Sequence, residues 1–125
     1  MKTNDLLAQT PEIEEEQIKL LEKLSNAVSV SGDESEVRNI ILEEIKEFAD
    51  DIRVDALGNL LVTKKAKVEK PIRVMIAAHM DEVGMMITGF DSDGAIRFQQ
   101  VGGLDARILP GTRVLVGPKR LPGVI

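Results

Sequence analysis

The spacing of apolar positions changes period along the chain. Leu20, Leu21, Leu24 and Val28 recur at helical intervals and predict a first helix over Glu12 to Ala27. Pro11 suits its entrance, and Glu12, Glu14, Glu15 and Glu16 suit the positive end of its dipole. Val28-Ser29-Val30-Ser31-Gly32 interrupts the pattern. Ser31 or Asp33 is expected to cap a second helix from Glu34 to about Ala49, with Val37, Ile40, Ile41, Ile45 and Phe48 on one face. The period then drops to two. Ile52 to Asp55 and Leu60 to Thr63 flank Ala56-Leu57-Gly58-Asn59 and predict a hairpin, with Gly58 or Asn59 taking positive φ. Ile72 to Ala78 is short, β-branched and almost uncharged, which predicts a central strand buried on both faces. Met85 to Phe90 and Ala95 to Gln99 predict a second hairpin around Asp91-Ser92-Asp93-Gly94. Arg113 to Val116 and Leu121 to Ile125 predict further strands between Gly/Pro turns. An α/β part thus gives way to a β-rich module near Gly84 to Met86. Val124-Ile125 is apolar and uncapped, and reads as a strand that runs on into further chain.

Composition narrows the function classes. With 125 residues, 43% apolar and 30% charged, the chain suits one globular domain rather than disorder. It carries 21 acidic against 16 basic residues, net −5, so a nucleic-acid partner is not expected. Lys64, Lys65, Lys67 and Lys70 cluster between strands and read as a solvated loop. Trp and Tyr are absent, which removes a base-stacking surface. Cysteine is absent, which removes disulfides and thiolate metal sites. The start is polar, and no apolar run reaches the roughly 20 residues of a membrane span, so a cytoplasmic location without membrane partners is expected.

Several acidic motifs read as plain surface. Glu14-Glu15-Glu16 is the solvated first turn of a helix, and Glu43-Glu44 is surface charge. Asp91, Asp93 and Gly94 start like a calcium loop, but its remaining ligands do not follow. Gly102-Gly103 lacks the spacing of a phosphate-binding turn.

The candidate chemistry centres on His79, the only histidine, at the C-terminal end of the predicted central strand. Ligands of open α/β sheets bind at that edge. Neutral imidazole is a common metal ligand. Asp81, two residues on, can return to the same side, accept the other ring N–H and fix the tautomer. The structural alternative is a surface or satisfied core histidine.

Ala77-Ala78-His79-Met80-Asp81-Glu82-Val83-Gly84 resembles the signature of the glutamyl aminopeptidase family of dinuclear metallopeptidases. That family includes the tetrahedral aminopeptidases and members named cellulase or endoglucanase. Val30-Ser31-Gly32 with Glu36-Val37-Arg38, Asp55-Ala56-Leu57-Gly58-Asn59, Val101-Gly102-Gly103 with Asp105 and Arg107, and Leu121-Pro122-Gly123-Val124-Ile125 resemble its successive segments in order. The resemblance implies an α/β fold: the N-terminal part of a metallopeptidase catalytic domain over residues 1–84, with two helices, a hairpin and a central strand. Over 85–125 it implies the start of a β-rich inserted dimerisation domain. It further implies removal of N-terminal residues from small peptides, with His79 as a metal ligand and Asp81 as the catalytic aspartate that orients it. Two divalent ions, zinc or cobalt, belong to the complete family site, and dimers assemble into dodecamers.

The family's second histidine, bridging aspartate, Glu-Glu pair and further aspartate have no counterparts in this chain. At most one weakly held metal ion is therefore expected, and the 125-residue chain alone is expected to be inactive. The alternative is a non-catalytic short relative acting as a scaffold or assembly partner. An uncovered edge on the Ile72 to Ala78 strand would favour self-association.

Overall fold

The computed structural model describes residues 12–125, which form two helices and three two-stranded antiparallel sheets. Helix α1 (Glu15–Asn26) starts three residues later than the acidic pattern predicts. Gln17 Oε1 accepts the N–H of Glu14 at 3.0 Å, satisfying one otherwise orphaned donor, and Glu15 and Glu16 occupy the first turn. Pro11 lies outside the described residues. Of the predicted apolar stripe, Leu20 and Leu24 are half-buried, Leu21 is exposed, and Val28 lies past the helix end.

Helix α2 (Ser35–Ile45) ends four residues before Ala49. Neither Ser31 nor Asp33 caps it. The N-cap is Glu34, without a side-chain capping bond. Ser31 is drawn away to Asp81, and Asp33 Oδ1 instead accepts from Ser35 Oγ at 3.2 Å. Val37 is buried on the predicted face, whereas Phe48 lies beyond the helix and is exposed.

Strands β1 (Asp51–Val54) and β2 (Leu60–Thr63) form the expected first hairpin. The Asp55 carboxylate fixes its turn by accepting the N–H groups of Leu57 and Asn59, each at 2.9 Å. Gly58 takes the positive φ, +87°. Arg38 of α2 donates to Gly58 O at 2.7 Å and ties the helix to the hairpin.

The second hairpin is also as expected, with β3 (Gly84–Phe90) against β4 (Ile96–Val101) and an irregular register between Ile87 and Gly89. Gly94 N donates to Asp91 O at 3.0 Å across the turn, and Arg97 pairs with the Asp91 carboxylate. A short 3-10 turn (Ala106–Ile108) precedes β5 (Arg113–Val116) and β6 (Leu121–Val124), which pair with each other.

The largest departure from the predicted elements is the central strand. Residues 71–81 have no strand partner among the described residues. Ile72 and Ile76 are 90% and 92% exposed, where burial on both faces was expected. Apolar, β-branched composition gives a segment the capacity to be a buried strand, but burial also needs flanking strands and covering layers. The described chain supplies neither. Its three hairpin sheets each close on themselves, so no open α/β sheet forms around this segment. The buried apolar core is correspondingly small: Ala27, Val37 and Leu109. No helix among the described residues is long and apolar enough to cross a membrane.

Candidate active site around His79

A clasp between two distant segments builds the site. Glu82 N donates to Ser29 O at 2.8 Å, and Val30 and Glu82 form an isolated parallel bridge. Gly84 makes this approach possible, since a Cβ there would lie 2.4 Å from Val30 Cγ2. Ser29 is buried at the join. The loop before α2 is held from the other side by Glu36, whose Oε2 accepts the Val28 N–H at 3.1 Å and the Arg120 guanidinium at 2.5 Å.

The clasp sets Ser31 against the predicted pair. Ser31 Oγ donates to Asp81 Oδ2 at 2.5 Å. The other carboxylate oxygen, Oδ1, stands 3.2 Å from His79 Nδ1, and the Asp81 carbonyl oxygen stands 2.9 Å from the same nitrogen. Both atoms facing Nδ1 are acceptors when Asp81 is ionised, so the contact requires the ring proton on Nδ1. In the neutral ring Nε2 then keeps its lone pair, and the imidazole is 86% exposed. The Ser31 hydroxyl holds the Asp81 carboxyl below the ordinary carboxylate range, with smaller help from a backbone N–H and from His79, against the opposing effect of desolvation. Asp81 is therefore a carboxylate at neutral pH.

A cleft of about 390 Å³ adjoins the pair. Ile41 and Ile45 of α2, Leu60 and Val62 of β2, and Ile76 line it together with Glu34, Asn59, His79 and Asp81. A lining that mixes aliphatic side chains with an imidazole and carboxylates suits an organic ligand with both apolar and polar parts.

The structure thus brings His79 and Asp81 together as their spacing suggests. Among the described residues, no group of three or more His, Asp or Glu side chains stands ready to hold a metal ion. The donor set fits one ligand through His79 Nε2, and does not fit a complete metal centre. Glu43 is engaged by Lys46, which lowers its pKa, and it belongs to the surface. Asp105 is likewise taken up by Arg107, whose bonds hold its carboxyl low. Ser31 is the site residue that sequence reasoning misread. Its place just ahead of a helix suggested a cap, while the partner that claims it is 50 residues away.

The family model described as M42 glutamyl aminopeptidase matches residues 58–125. The chain belongs to that family. A relative in Acetivibrio thermocellus, provisionally named an aminopeptidase, is 50% identical over 101 residues, 81% of this chain and 30% of its own length. Among solved structures, the Pyrococcus horikoshii TET1 peptidase superposes with a TM-score of 0.73 at 44% identity, over 86% of this chain and 32% of its own. A Thermotoga maritima protein named endoglucanase gives 0.75 at 42%, over 83% and 32%. The two helices and small antiparallel sheets match the N-terminal part of such M42 structures. The chain spans less than a third of the length of these relatives.

Proposed function

We propose that this chain is the N-terminal section of a metal-dependent aminopeptidase that removes N-terminal residues from small peptides. Residues 1–84 belong to its α/β catalytic domain, and 85–125 open the inserted β-rich dimerisation domain. His79 is a metal ligand through Nε2, and Asp81 orients the ring and raises its basicity. The carrying observation is the pair of Asp81 acceptor atoms on Nδ1 of a histidine that lines the cleft, which leaves Nε2 to a ligand. Membership of the M42 family supports the peptidase reading.

A pair of divalent ions such as zinc or cobalt, when bound, would supply Lewis acidity toward a peptide carbonyl and toward water. This chain's own residues do the preparatory work. Asp81 is held as a carboxylate, its two acceptor atoms favour the Nδ1–H form of the neutral His79 ring, and the cleft offers aliphatic side chains to a substrate. The remaining ligands come from the length that the relatives have and this chain does not span, so the 125-residue chain by itself is inactive. The similar P. horikoshii peptidase is described as assembling into a tetrahedron or an octahedral shell, which supports a homo-oligomer for the complete protein.

The test is hydrolysis of aminoacyl-nitroanilides with zinc or cobalt, by this chain and by the protein extended to the length of its relatives. The extended protein should turn over, His79→Ala and Asp81→Asn should abolish most of that turnover, and the 125-residue chain should show none. Comparable turnover by the 125-residue chain, or full activity in the His79→Ala protein, would overturn the assignment.

A further inference from the structure

We infer that Ser31 is a positioning residue for Asp81, holding one carboxylate oxygen so that the other faces His79. The inference rests on the functional reading of His79 and Asp81 given above. The two oxygens of Asp81 have different partners: Oδ2 receives the Ser31 hydroxyl at 2.5 Å, and Oδ1 meets His79 Nδ1 at 3.2 Å. A carboxylate gripped at both oxygens cannot rotate without breaking one contact. Released from Ser31, it would be free to turn toward water, since the Asp81 side chain is 41% exposed.

Three features show that Ser31 is delivered to this position. The Val30–Glu82 bridge and the Glu82 N to Ser29 O bond fix the chain on both sides of the contact. The missing side chain at Gly84 admits Val30. Glu36 anchors the same loop through the Val28 N–H. The ordinary alternative for a serine just ahead of a helix is capping, but α2 is capped at Glu34 without any side-chain bond. The Ser31 hydroxyl is committed to Asp81 instead.

The single histidine makes the test direct, because one imidazole gives one set of ring signals. The 125-residue chain is followed by NMR at alkaline pH, where imidazole is neutral. The Asp81 Hα–Hβ couplings report whether its side chain holds one rotamer, and the ring nitrogen signals report the tautomer of His79. Wild type and Ser31→Thr, which keeps the hydroxyl, should show one fixed Asp81 rotamer and the Nδ1–H tautomer. Ser31→Ala should give averaged couplings and a severalfold fall in the Nδ1–H to Nε2–H ratio. Ser31→Cys, similar in shape but a weak donor, should behave like Ser31→Ala and decides the matter should the alanine variant not fold. A fixed Asp81 rotamer in Ser31→Ala, or in Ser31→Cys where alanine does not fold, overturns the inference. An extended protein without peptidase activity, alongside the expected changes at Asp81, overturns the functional reading and leaves the positioning role standing.

Discussion

The β3–β4 hairpin and the segment 71–81 are neighbours in sequence and similar in composition, yet they end in opposite conditions. Met85-Met86-Ile87 is paired residue for residue with Gln100, Gln99 and Phe98. Val74-Met75-Ile76 is just as apolar but has no strand partner among the described residues, and each of its three side chains is at least 78% exposed. The difference lies in where each finds its neighbour. A hairpin strand meets its partner across one turn, here Asp91 to Gly94. A central strand of an α/β sheet takes partners from beyond a crossover, often far along the chain. Local pairing is therefore satisfied among the described residues, while the segment whose pattern calls for distant partners is left bare.

The largest expected effect breaks this contrast directly. In the protein extended to the length of its relatives, Ile76→Ala should cost about 2–5 kcal/mol, as for other buried aliphatic truncations. In the 125-residue chain it should stay within about 0.5 kcal/mol, as for an exposed position. Urea midpoints of the four proteins decide it. A large loss in the short chain would mean that this segment is packed in solution.

A smaller effect sharpens the comparison within β3 itself. Gly84→Ala places a methyl group against Val30 and should cost about 1–3 kcal/mol, with partial recovery on Val30→Ala. Gly89→Ala, where nothing lies within 4 Å of the new Cβ, should be within about 0.5 kcal/mol of wild type. Equal losses at both glycines, by chemical denaturation, would remove the clasp as the reason for glycine at position 84.

The smallest effect concerns charge. The Arg120 bond, with help from the Val28 N–H, lowers the folded-state pKa of Glu36 below its ordinary 4.5. A depressed folded-state pKa contributes stability above the unfolded value, and that stability is lost as pH falls through the folded value. Glu36→Gln should therefore lower Tm slightly at neutral pH, flatten the fall in Tm below about pH 4.5 and converge with wild type at low pH. An unchanged acid limb would show that the pair contributes nothing measurable.

What could be read from the sequence follows the same division between local and distant. Both early hairpins were legible because their turns carry their own chemistry: the Asp55 carboxylate with Gly58, and Asp91 with Gly94. The His79–Asp81 contact was legible because two residues in an irregular or extended stretch can reach each other. Ser31 and Arg120 were not, since each is claimed by a residue 50 or 84 positions away, and no periodicity encodes such a partner. The Ile72 to Ala78 segment shows the reverse error. Its pattern states a readiness to be buried, and the covering surface is a separate fact about the fold.

The Glu36–Arg120 pair, spanning 84 residues, also bears on the order in which the molecule assembles. Hairpins form in roughly 1–10 μs, whereas closing a long loop must first overcome a larger chain entropy. The three hairpins should thus be in place before Arg120 reaches Glu36 and before Ser29 meets Glu82. On that schedule the Ser31–Asp81–His79 arrangement is a late product of folding. Its contacts would be among the first to come apart in a partial opening, ahead of the hairpins that flank them.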